Sequence, residues 1–175
     1  QAVLSINENG RLIALKDGWA SITATFTPST GVSKQISFTV YSTTFPLTKE
    51  LFNPSIFAQG TFDEETRTLV TGQWGFGGYN KGVDLSKYKY LIAELGNDNN
   101  SSVSFRLFDE NNYWSQPATY DFGNSRKVVV ELGNMYKKIN GVQVKLNPAQ
   151  IYIIGFWSSG GSPIIIKGVY LSDSL

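Results

Sequence analysis

An all-β protein is what this sequence predicts, and three observations predict it. The apolar segments are short and rich in Val, Ile, Thr, Phe and Tyr, whose branched or aromatic side chains suit a pleated surface. They are closed by Gly, Asn, Asp or Pro, the residues that punctuate turns. Several alternate apolar with polar residues, and none sustains the 3.6-residue period of a helix. Short strands at regular spacing point to a β-sandwich.

At 21–26, Ile22, Ala24 and Phe26 alternate with Ser21, Thr23 and Thr25, which turns one face to a core and the other to water. Residues 35–41 repeat the pattern, and further strands are expected at 66–71, 88–95, 102–108, 127–132, 150–157 and 164–171. On 102–108, Val103, Phe105 and Leu107 point one way while Ser102, Ser104 and Arg106 point the other. On the strand before it, Ile92 and Glu94 share a face opposite Leu91, Ala93 and Leu95. A cross-strand Arg106–Glu94 pair is expected, since opposite charges stabilise a ladder. The same pair could line a concave, ligand-facing sheet. Helix is foreseen only as single turns, at 85–88 and at 147–150, where Asn147 can cap with Pro148 at the first position. The glycine-rich segment 72–82 reads as a loop. A phosphate-binding glycine loop would run into a helix bearing Lys, and here Asp84-Leu85-Ser86 follows instead.

Composition excludes whole classes of function. The 175 residues carry 15 Lys plus Arg against 14 Asp plus Glu, a net charge of +1, which attracts neither nucleic acid nor an anionic membrane. Aromatics reach 14% against only 17% charged residues, a globular balance and not a disordered one. Without His or Cys there is no Ser-His-Asp or Cys-His catalysis, no imidazole or thiolate zinc site and no disulfide. Chemistry would fall to carboxylates, Lys, Tyr or hydroxyls. The longest apolar stretch, 151–157, is far shorter than the roughly 20 residues of a membrane-spanning helix. No charged segment followed by an apolar one opens the chain, so a signal peptide is expected to be removed or to lie outside it.

The polar run from Tyr41 to Leu47 marks an expected boundary between residues 1–43 and 44–175. The first piece is marginal for a core of its own without disulfide or metal. In it, Leu4-Ser-Ile-Asn-Glu-Asn-Gly10, a glycine at 18 before an alternating strand, and Ile36-Ser-Phe-Thr-Val40 follow one another. This order resembles the second half of a bacterial immunoglobulin-like group 2 domain. The resemblance implies a spacer in a secreted or surface protein, here begun mid-domain. From Phe45 onward, the strand, turn and strand of 60–69 precede the phrase Asp84-Leu85-Ser86, Tyr88, Tyr90-Leu91. That order is similar to the galactose-binding-like jelly-roll of carbohydrate-binding modules. Together the two resemblances imply a partial immunoglobulin-like β-sandwich piece followed by a β-jelly-roll sandwich. They imply non-catalytic polysaccharide binding in a secreted or cell-surface bacterial protein, with flanking domains such as a glycoside hydrolase as partners.

Sugars present apolar C–H faces ringed by hydroxyls, so a site for them wants aromatic rings beside amides, carboxylates or Arg. Trp74 and Tyr79 stand in the glycine-rich segment, Tyr113, Trp114 and Gln116 in a polar one, and Trp157 at a strand end before Ser158. With Arg106 and Glu94 they form the expected ligand set, although a Trp in a β-sandwich more often caps the core. The near-zero net charge points to a neutral polysaccharide. A glycosidase would need two carboxyls about 5–5.5 or 6.5–9.5 Å apart, and Glu94, Asp109, Glu110 and Glu131 form no pattern that singles out a pair. A small carboxylate glycosidase and a structural or adhesive spacer are the alternatives. No cofactor is expected beyond a structural calcium, common in related jelly-rolls, for which Glu50, Asp63 and Asp173 offer oxygens.

Overall fold

The computed structural model describes residues 2–72, 75–96, 102–110, 116–159 and 161–175, of Lys81 the backbone alone. Its regular structure is strand throughout, apart from two 3₁₀ turns. No helix among the described residues is long and apolar enough to cross a membrane. The chain divides into two units, Gln1–Thr44 and Phe45–Leu175.

The first unit is a pair of antiparallel hairpins. Strand β1 (Leu4–Ile6) pairs with β2 (Leu12–Ala14), and β3 (Gly18–Phe26) with β4 (Lys34–Ser42). The first hairpin turns at Asn9-Gly10. The Asn7 carbonyl accepts from the Gly10 N–H at 2.9 Å, and its side-chain oxygen accepts from the N–H groups of Asn9 and Arg11 at 3.1 and 2.8 Å. Gly10 takes a φ of 76°, which only glycine adopts freely. Between β3 and β4 the register sets Ile22 opposite Phe38 and Ala24 opposite Ile36. The alternation is therefore real, but the apolar row stays open, with Phe38 45%, Ile36 64% and Phe26 68% exposed. Of the described residues of this unit, only Gly18 is buried. Folding must offset roughly 1.5 kcal/mol of conformational entropy per ordered residue, and little burial opposes it here. A peptide of residues 1–44 should show no cooperative thermal transition, and a sharp melt by circular dichroism would contradict this.

The second unit begins its regular structure with β5 (Gly60–Asp63), β6 (Thr68–Thr71), β7 (Phe76–Val83), β8 (Tyr90–Leu95), β9 (Val103–Phe108) and β10 (Ala118–Asp121). It continues with β11 (Lys127–Glu131), β12 (Tyr136–Ile139), β13 (Val142–Lys145), β14 (Ile151–Ser158) and β15 (Ile164–Ser172). A four-stranded sheet runs β10-β9-β14-β7, and a five-stranded one β11-β8-β15-β6-β5, with β12-β13 a separate hairpin. Every pairing is antiparallel. The chain changes sheet at β6/β7, β7/β8, β8/β9, β10/β11 and β14/β15, so sequence neighbours lie in opposite layers. One core fills the space between the layers. Tyr79, Phe105 and Phe156 enter from the first sheet, Leu91, Val130 and Leu171 from the second.

The short turns follow their sequence signals. The Asp84 carboxylate accepts from the Ser86 N–H and hydroxyl at 2.9 and 2.6 Å, which bends the chain at the buried Leu85 ahead of β8. Asn147 caps the 3₁₀ turn Pro148–Gln150 by accepting from the Ala149 N–H at 3.0 Å.

Segment 72–82 departs from expectation, because its larger part is strand β7 and not a loop. The glycines serve close approach. A Cβ on Gly78 would lie 2.2 Å from the Ile154 carbonyl oxygen, and one on Gly155 2.2 Å from that of Gly77. Tyr79, expected at the ligand, is instead 1% exposed, between the rings of Phe45 and Phe52 at 5.3 and 5.4 Å. Its hydroxyl donates to the Phe45 carbonyl at 2.8 Å, with that of Pro46 at 3.1 Å, and burial drives its pKa upward. A ring so enclosed cannot stack on a sugar.

Candidate ligand-binding face

The outer face of the four-stranded sheet gathers what the sequence reading left apart. Strand β9 sends Phe105 and Leu107 into the core, so its period of two turns Ser104 and Arg106 outward. Register sets Trp157 beside Ser104 and Gly155 beside Arg106 on one flank. On the other, Asp121 stands beside Ser104 and Thr119 beside Arg106. The Arg106 guanidinium carbon lies 4.2 Å over the centre of the Trp157 ring, and its Nε donates to the Ser104 hydroxyl at 2.9 Å. Gly155 leaves the position next to Arg106 without a side chain. On the same face a small buried cluster of Phe76, Phe108 and Ile153 packs against Trp157, with Ile56 and Phe57 beside it. Phe76 and Phe108 meet edge to face at 5.6 Å.

Electrostatics single out the guanidinium. Partial burial pulls the Arg106 pKa below its usual value, opposed by the Asp121 carboxylate. Among the described residues no carboxylate lies within 4.0 Å of it, whereas Lys137 and Lys167 are both paired.

Glu94 stands elsewhere. The expected Arg106–Glu94 pair does not form, because the chain crosses between sheets after β8, and β8 pairs with β11 and β15, not β9. Glu94 instead accepts from the Tyr170 hydroxyl at 3.0 Å and lies 3.1 Å from the Lys167 ammonium. It edges a depression of about 350 Å³ on the five-stranded sheet, shared with Arg126, Lys127 and Lys167. Gln116 is exposed just ahead of β10. Trp74, Tyr113 and Trp114 lie outside the described residues. The chain flanking 73–74 meets the sheet where the Ser158 N–H donates to the Gly75 carbonyl at 3.2 Å, beside the start of β9. The chain flanking 111–115 departs from the far end of β9, roughly 17 Å away at strand rise.

Three of the remaining carboxylates, Asp63, Asp109 and Glu110, hold structure. Asp109 and Glu110 both face the buried Lys137 ammonium, at 2.8 and 3.4 Å, and Glu131 is exposed at the end of β11. Asp63 accepts from the Thr66 N–H at 3.0 Å across the β5-β6 turn, a bond that above all holds its pKa below the usual carboxylate value. Glu50 and Asp173 are exposed. Among the described residues no group of three acidic side chains is placed to hold a metal ion.

Sequence reasoning missed Thr119 and Asp121, because β10 is only four residues long, too short for its Ala-Thr-Tyr-Asp alternation to stand out. It missed the role of Gly155 as well, since nothing in the sequence tells a strand glycine at a close backbone approach from one at a bend. No protein-family model and no curated protein matches the sequence.

Proposed function

We propose that Phe45–Leu175 binds polysaccharide without hydrolysing it, as an accessory module of a secreted or surface bacterial protein, and that the preceding unit is part of an immunoglobulin-like spacer. The observation that carries this is the Arg106 guanidinium held 4.2 Å over the centre of the Trp157 ring, among the hydroxyls of Ser104 and Thr119 and the carboxylate of Asp121. Such a face offers donors, acceptors and a planar surface together, the set that ringed hydroxyls require. The carboxylates favour binding over hydrolysis. Asp109 and Glu110 share one ammonium, and Glu94 is held by Tyr170 and Lys167 on the other sheet, so these carboxylates are committed to partners.

Affinity electrophoresis on xylan, mannan, β-glucan and pectin gels, with reducing-sugar release measured alongside, tests the proposal. Retardation by at least one polysaccharide without sugar release is expected. Trp157→Ala should abolish that retardation, because it removes the plane on which Arg106 rests. Retardation by none, or clear sugar release, would defeat the reading.

A further inference from the structure

The Trp157 ring is not itself the stacking platform, because one of its faces already carries the Arg106 guanidinium, 4.2 Å from the ring centre. What the sheet presents to a ligand is therefore the guanidinium. Its Nε is committed to the Ser104 hydroxyl and its central carbon is held over the ring, so among the described residues the two terminal nitrogens are left as an oriented fork. Ser104 is itself 1% exposed, which makes the anchor rigid. A half-buried charge is normally paired, since water no longer solvates it fully. Here the Asp121 carboxylate, beside Ser104 on β10, acts on it electrostatically, and among the described residues no ion pair forms. A fixed fork without its counter-ion matches a planar two-oxygen anion better than a neutral hydroxyl. The net charge of +1 describes the whole chain and not this face.

We propose that the glycan bound here is acidic, and that Arg106 receives the carboxylate of a uronic acid through both terminal nitrogens. The proposal rests on the polysaccharide-binding reading and narrows its ligand class from the neutral glycans that net charge alone would suggest. Thr119, exposed beside Arg106 on β10, flanks the fork with a further hydroxyl.

De-esterified and fully methyl-esterified polygalacturonate, which share one backbone and differ in the carboxyl's charge and its ester methyl, test it on the unaltered protein, with alginate, dextran sulfate and neutral xylan as further probes. Binding to the de-esterified polymer and to alginate is expected, weakening with added salt, with at least tenfold weaker binding to the methyl ester. Arg106→Gln should lose roughly ten- to hundredfold in affinity, the range of a charge-assisted hydrogen-bonded contact, and Arg106→Lys should restore little because it lacks the fork. Asp121→Asn, an exposed and conservative change, should bind the acidic polymer more tightly, which keeps the test open if the Arg106 variants melt early. Equal binding to both esterification states, or binding to xylan alone, would overturn the acidic ligand while leaving polysaccharide binding intact. Equal binding to dextran sulfate would show general polyanion attraction and overturn the uronate. Loss of binding on Lys167→Ala but not on Arg106→Gln would move the site to the other sheet. Failure to bind any probe would end both this inference and the reading beneath it.

Discussion

Gly155→Ala should lower the melting temperature by roughly 6–12 °C, the effect of about 3 kcal/mol of overpacking in a chain of this size. The added methyl would sit 2.2 Å from the Gly77 carbonyl oxygen and 2.6 Å from the Gly78 Cα. Both are backbone atoms of the neighbouring strand. A flexible side-chain tip could swing aside, but these atoms can move only if β7 separates from β14 along the ladder from Ile154–Tyr79 to Trp157–Phe76. Gly78→Ala meets the same obstacle from the other side, 2.2 Å from the Ile154 carbonyl oxygen. Gly133→Ala is the matched control, with nothing within 4 Å of its Cβ position. Thermal unfolding of the three variants decides the matter. Equal melting temperatures would mean that β7 and β14 do not approach as described.

Lys137→Met should cost about 1.5–3 kcal/mol, the range for hydrogen bonds to charged groups, although Met matches much of the volume of the stem. The Lys137 side chain is 4% exposed, and it joins the β12-β13 hairpin to the end of β9 through Asp109 at 2.8 Å and Glu110 at 3.4 Å. Burial alone would lower the ammonium's pKa, but the hydrogen bond and charge of Asp109, then those of Glu110, outweigh it and the net shift is upward. A folded-state pKa above the unfolded one makes a contribution that is complete below the unfolded value of about 10.4. It is lost as pH rises through the higher folded value. The stability gap between wild type and Lys137→Met should therefore hold steady from neutral pH to about 10 and close above it. A gap that closed on going from pH 10 to pH 7 would contradict the assigned pairing. The pair also fixes the residues that enter segment 111–115, which links this contact to the end of the proposed binding face.

Much of the fold was legible because strand alternation reports burial directly. Val103, Phe105 and Leu107 enter the core as their spacing required, and Leu91, Ala93 and Leu95 do the same from the other layer. Short-range turn chemistry was equally readable at Asn9-Gly10, Asp84-Leu85-Ser86 and Asn147-Pro148. What alternation does not carry is which strands share a sheet. The Arg106–Glu94 pair failed on that point, since β8 and β9 are adjacent in sequence but lie in opposite layers. Glycine failed for a second reason, because a missing side chain signals both flexibility and close packing, and Gly77, Gly78 and Gly155 use the latter. The β12-β13 hairpin did carry a signal, Asn140-Gly141 with φ of 49° and 83°, the left-handed pair that a tight hairpin turn demands. It was overlooked because the buried position before it is Lys137, which reads as surface. Of the expected ligand set, Arg106 and Trp157 come together, Tyr79 belongs to the core and Glu94 to the opposite sheet.

The central claim is that ligand meets the outer face of the four-stranded sheet at Arg106. Titration of the isotope-labelled protein with the polysaccharide fragment that binds best, followed by amide and side-chain nitrogen resonances, tests it most directly. The largest shifts are expected at the Arg106 side-chain N–H groups, the Trp157 indole N–H and the amides of Ser104 and Thr119. Shifts that leave these unmoved and cluster instead on Glu94, Lys127 and Lys167, around the depression of the five-stranded sheet, would contradict it.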